Sequence, residues 1–140
     1  MEKKIRLLVL ALLLFAVLPL QIQAQTDQSK EVLIGIYNIA PGKHLDFLKW
    51  MAANEQVAVE AGAGPTQWYA HREGASWDYI SIGPVLSDEM QKKVDELTTK
   101  KKLSTGFKAS LEFRQFVASH TDTYAVGPMS ASDLVKAAEK

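Results

Sequence analysis

Residues 31–39 constrain the fold more than any other segment. Val32, Ile34 and Ile36 alternate with Leu33, Tyr37 and Ile39. A strand drawn through them is apolar on both faces. A strand with one wet face alternates apolar with polar residues, so this one asks for cover on both sides. In a small α+β domain the helices gather on one face of the sheet. The second apolar face therefore calls for another layer.

The remaining segments supply the elements around that strand. Pro41-Gly42 marks a turn. A helix is expected over residues 43–61, with Leu45, Leu48, Ala52 and Val59 as its apolar stripe and Phe47, Trp50 and Met51 widening it. Gly62, Gly64 and Pro65 stop it. Residues 66–73 and 77–83 read as two strands of an antiparallel hairpin about Gly74. Ser87 is a helix N-cap, with Asp88 and Glu89 placed to favour the dipole. Met90, Val94 and Leu97 follow at helical spacing, and Lys100, Lys101 and Lys102 close that helix as a solvated end. Another helix is expected over residues 107–120, with Leu111, Phe113, Phe116 and Val117 inward. A short strand at residues 124–126 and a tail helix capped by Ser132 complete the chain.

The order is β-α-β-β-α-(α)-β, the split-βαβ pattern of a ferredoxin-like α+β domain with an antiparallel sheet. Residues 31–129 form that domain and residues 130–140 a helical tail. The apolar second face of the first strand then predicts a homodimer. Two such sheets packed face to face would make a dimeric α/β barrel.

The start of the chain has a different character. A basic segment with Lys3, Lys4 and Arg6 precedes an unbroken apolar run over residues 7–18, and Pro19 and Ala24 follow. This is the layout of a cleavable signal peptide over residues 1–24. The run is shorter than the roughly 20 residues a spanning helix needs. The expectation is export, to the periplasm or the medium, with residues 25–30 as a flexible leader and no membrane contact after cleavage. Cleavage would leave 116 of the 140 residues. It would take three of 16 basic and one of 16 acidic residues, leaving 13 against 15 and a net charge of −2. A slightly acidic domain is a poor partner for nucleic acid. The sequence has no cysteine, which rules out disulfides, thiol nucleophiles and thiolate metal sites.

Tyr37, then Pro41-Gly42-Lys43, then a helix carrying Phe47-Leu48 and Trp50 resembles the start of domains in the dimeric α/β-barrel superfamily. Its NIPSNAP-like and antibiotic-biosynthesis-monooxygenase-like members are nearest in layout. The resemblance implies a homodimer with a pocket between helices and sheet. It implies no single activity, because the superfamily spans oxygenases, haem-degrading enzymes and proteins without known chemistry. In its haem-degrading members a helix histidine ligates iron, aided by an Asn from the first strand and a Trp. His120, Asn38, Trp68 and Trp77 are the corresponding residue types here, so haem enters only through that resemblance. No cofactor is otherwise predicted.

Three histidines remain for chemistry: His44, His71 and His120. None stands in a metal-ligand spacing, and no metal is predicted. A hairpin turning at Gly74-Ala75 sets His71 opposite Asp78 and Arg72 opposite Trp77. Tyr69 shares the face of His71. His71, Asp78 and Tyr69 are thus the catalytic candidates, because a carboxylate beside an imidazole fixes its tautomer and raises its pKa. The competing reading is a cross-strand ion pair at a hairpin end. Trp68, Trp77, Tyr79, Arg72, Asn38 and His120 are the ligand-binding candidates; the alternatives are core aromatics and a histidine at a helix end. His44 reads as a solvated helix start.

Nucleophile-elbow, P-loop and dinucleotide signatures are absent. The leading expectation is a small dimeric protein that binds a small apolar or aromatic molecule. An oxygenase-like or haem-handling enzyme and a non-catalytic interaction module are the alternatives.

Overall fold

The computed structural model describes residues 30–74 and 76–140. The predicted signal peptide, and all of the leader except Lys30, lie outside these residues, and nothing in the described part bears on export. No described helix is long and apolar enough to cross a membrane.

Strand β1 (Lys30–Ile39) leads through a tight turn into α1 (His44–Glu60). The hairpin β2 (Gln67–Ala70) and β3 (Tyr79–Pro84) follows, then α2 (Asp88–Lys100), α3 (Gly106–Arg114), β4 (Val117–Gly127) and α4 (Ala131–Ala138). The sheet order is β2-β3-β1-β4, antiparallel throughout. This is the ferredoxin-like arrangement: each strand–helix–strand unit leaves a gap that a strand of the other unit fills. β1 lies inside the sheet, between β3 and β4.

Strand pairing assigns the faces. On the helix side stand Leu33, Gly35, Tyr37 and Ile39 of β1, opposite Gly83, Ser81 and Tyr79 of β3. On the other side Val32, Ile34 and Ile36 stand opposite Pro84, Ile82 and Ile80. The core is aromatic. Tyr37, Ile39 and Phe47 are buried, with Met51, Trp68, Tyr79, Phe113, Phe116 and Val117 packed around them. Phe47 is wholly buried, its ring stacked on Tyr79 with centroids 5.8 Å apart.

The expected α1 stripe is corrected. Leu45, Leu48 and Val59 are exposed, while Phe47 and Val57 are buried. The helix is apolar around much of its girth, and its large aromatic sector has more area to bury than its leucines. The last helix and strand are corrected as well. The helix ends at Arg114, and residues 117–120 belong to β4, which runs 11 residues rather than three. Ala118 to Tyr124 is exposed and polar, a weak strand signal taken alone. Pairing along the whole of β1, from Lys30↔Gly127 to Ile39↔Val117, holds it extended. The tail helix is capped by Ser130, whose side chain forms a reciprocal capping box with Asp133, rather than by Ser132.

The barrel expectation is also overturned. The four-stranded sheet is open, with β2 and β4 as its two edges. The expectation took two such sheets, packed face to face, to close into a barrel; this sheet keeps unpaired edges, where a closed barrel has none. The face away from α1 carries Val32, Ile34, Ile36, Ile80 and Ile82. At one end of that face Tyr69, Ile82, Ala125 and Leu134 border a hollow of about 550 Å³.

Candidate functional site

A second, smaller cavity of about 280 Å³ lies between α1 and the helix side of the sheet. Its aromatic wall is Tyr37, Trp50 and Trp68, with Leu33, Met51 and Leu86 adding apolar surface. Two polar groups define its chemistry.

The first is a pair of hydroxyls, Tyr37 Oη and Ser81 Oγ, 3.0 Å apart in a buried setting. Gly35 makes room for it: a Cβ there would collide with the Tyr37 hydroxyl and sit 2.9 Å from Ser81 Oγ. Burial pushes the Tyr37 phenol above its ordinary value, and the negative charge of Asp122 adds to this, against the opposing Ser81 bond. Tyr37 is therefore a neutral phenol near pH 7. The pair makes one mutual bond and keeps one O–H to offer.

The second group is the carboxylate of Glu55, one helical turn beyond Met51. It accepts from the backbone N–H of Thr66 at 3.0 Å through Oε1 and from Trp68 Nε1 at 3.1 Å through Oε2. These bonds tie α1 to the start of β2 and fix the indole in the cavity wall. Trp50 is fixed in a similar way, its Nε1 donating to Glu112 at 3.3 Å while Ser104 donates to the other oxygen of that carboxylate. Both donors hold Glu112 below the usual carboxylate range, Ser104 more strongly.

The residues singled out from sequence are dispersed. The hairpin register is as expected: the His71 N–H donates to the Asp78 carbonyl at 2.9 Å, continuing the β2–β3 pairing. The side chains part company, however. Asp78 accepts the Ile39 N–H at 2.6 Å and lies 3.4 Å from His44 Nε2. The Ile39 N–H is the main reason its carboxyl sits below the ordinary 3.8, with His44 next and burial opposing. His71 instead packs its ring against Trp77, centroids 5.2 Å apart, and the Tyr69 hydroxyl reaches only Gln67, at 3.5 Å. Arg72 is exposed beside the turn. Tyr79 belongs to the core, and of the ligand-binding candidates only Trp68 lines the cavity.

Haem does not fit the residues present. His120 lies on β4, edge-on to Phe113 at 4.8 Å, with its Nε2 3.5 Å from Asp122. It stands opposite Tyr37 on the helix side, whereas Asn38 is on the other face, bonded to Ser119 at 3.1 Å. The sheet separates the two. Among the described residues no group of three or more His, Asp or Glu could hold a metal ion.

Tyr37, Trp50, Glu55 and Ser81 were not singled out as site residues from sequence. The signal available for Glu55 was weak: one of three acids in its helix, five residues after Trp50.

No protein-family model matches the sequence, and no curated protein matches it. Solved structures do match. One is an Arabidopsis thaliana protein with 7% identity and TM-score 0.49, covering 72% of this chain and 97% of its own. Another is an Agrobacterium tumefaciens protein with 13% identity and TM-score 0.49, covering 72% and 95%. A third is a NIPSNAP domain protein from Burkholderia xenovorans with 13% identity and TM-score 0.46, covering 72% and 96%. By its own strand order and helix placement the chain has a ferredoxin-like fold.

Proposed function

We propose that this protein binds a small, largely apolar or aromatic molecule in the cavity between α1 and the sheet. The observation that carries the reading is the convergence of three aromatic walls, Tyr37, Trp50 and Trp68, on two fixed polar groups within one hollow of about 280 Å³. Ligand sites have this composition: apolar lining with a few oriented polar atoms. The volume is at the small end of the usual range of roughly 300–1,000 Å³, so the ligand is small.

Titration with 1-naphthol, a neutral aromatic probe, tests the reading. Saturable quenching of tryptophan fluorescence is expected, reduced in Trp50→Phe and Trp68→Phe and retained in Trp77→Phe. Quenching that depends on Trp77 alone, or none at all, would overturn it.

We infer also that the protein acts as a homodimer. The support is the apolar stripe of Val32, Ile34, Ile36, Ile80 and Ile82, which is only partly buried and bears no charged side chain. A second copy can meet it about a two-fold axis without like-charge repulsion. Light scattering at micromolar concentration is the direct check.

A further inference from the structure

We propose that the cavity between α1 and the sheet selects a ligand bearing a protonated amine, seated on the Glu55 carboxylate, over the corresponding carboxylic acid. The inference rests on the binding role proposed above and adds the charge class of the ligand.

The lining set is asymmetric in charge. Glu55 is its one carboxylate, and no lysine, arginine or histidine lines the cavity. No ion pair engages Glu55 among the described residues. Both its donors, the Thr66 N–H and Trp68 Nε1, are neutral. Each carboxylate oxygen therefore keeps acceptor capacity, and the half-buried negative charge has no counter-charge of its own. A group of opposite sign is the natural partner for it.

An ammonium group meets this requirement twice. It donates a charge-assisted hydrogen bond to Glu55. It also enters a cavity lined by the Tyr37, Trp50 and Trp68 rings, and aromatic rings tolerate a cation better than an anion. The Tyr37–Ser81 pair adds no competing negative charge, because burial keeps the phenol protonated. A ligand carboxylate would face the Glu55 charge with no cation to offset it. A neutral ligand meets neither the charge gain nor the charge penalty, and has only ordinary hydrogen bonds to use, at Glu55 or at the Tyr37–Ser81 pair.

Three matched probes separate these cases in the wild-type protein: phenethylamine, 2-phenylethanol and 3-phenylpropanoate at neutral pH, each followed by tryptophan quenching. Phenethylamine should bind at least about tenfold tighter than 3-phenylpropanoate, the scale of one charge-assisted hydrogen bond. The Glu55→Gln variant should lose about tenfold more affinity for phenethylamine than for 2-phenylethanol. Glu55 also holds Trp68 and Thr66, so the variant is checked by circular dichroism and melting; should it not fold, the wild-type comparison decides. Equal affinity for amine and acid, or a preference for the acid, would overturn the charge selection while 2-phenylethanol binding upheld the cavity. Amine binding that Glu55→Gln leaves intact in a folded variant would also overturn it. No saturable quenching by any of the three would remove both the inference and the role beneath it.

Discussion

Asp78 is spoken for by structure before it can serve chemistry. One carboxylate oxygen accepts the Ile39 N–H where β1 ends, and the other lies by His44 at the start of α1. The carboxyl thus clamps the hairpin to the β1–α1 turn. Because its folded value is depressed below 3.8, its contribution is present above about pH 4 and is lost as pH falls through the lowered value. The side chain is about a third exposed, so the contribution is discounted to the order of 1 kcal/mol. Urea denaturation at stepped pH should show Asp78→Asn losing less stability than wild type between about pH 5 and 3. Equal acid slopes would remove the clamp. At this scale the sequence was partly legible. The spacing around Gly74 gave the His71–Asp78 register, because antiparallel pairing depends on loop length. It could not give the direction of the Asp78 side chain, since the strand begins only at Tyr79 and alternation does not reach back to Asp78. Glu55 was hidden for a related reason: its partners Thr66 and Trp68 come from beyond the turn after α1, and no spacing rule links them.

Helix α1 is anchored at one point above others. Phe47 has no exposed surface and contacts the rings of Tyr37, Trp68, Tyr79 and Phe113. Phe47→Ala should cost about 3–5 kcal/mol, the range for a buried aromatic truncated to a cavity. Leu45→Ala, on the exposed side of the same helix, should cost less than about 0.5 kcal/mol. Similar losses for the two in thermal or chemical denaturation would mean the helix is turned the other way. The existence of α1 could be read from its turn and stop residues, whereas its inward face could not, because apolar residues surround it and the choice is made by the sheet it meets. β4 escaped for the opposite reason. Its Thr, Ser and Asp residues give no apolar alternation, and its extension is decided by β1, whose whole length it pairs.

At the scale of the molecule, one open sheet packs α1 on one face and keeps a partly buried apolar stripe on the other. Ile34 and Ile82 are direct partners on that face, one on each side of the β1–β3 ladder. If a second copy covers them, Ile34→Lys should shift the light-scattering mass of the micromolar protein from dimer to monomer. A wild-type protein that is monomeric there would end the homodimer reading. The order of elements could be recovered from the sequence because each has its own turn or cap signal. Openness of the sheet could not, since it follows from strand number and twist rather than from any residue. The place of β1 has a last consequence. Its register joins Lys30 to Gly127 and Ile39 to Val117, so the first described strand finds one of its two neighbours only near the far end of the chain. A nascent chain emerging from the ribosome can add the β2–β3 hairpin early, but it leaves one margin of its most apolar strand bare until translation has passed Gly127. Folding of this domain is consequently a late, long-range event, governed by loop closure rather than by local helix formation.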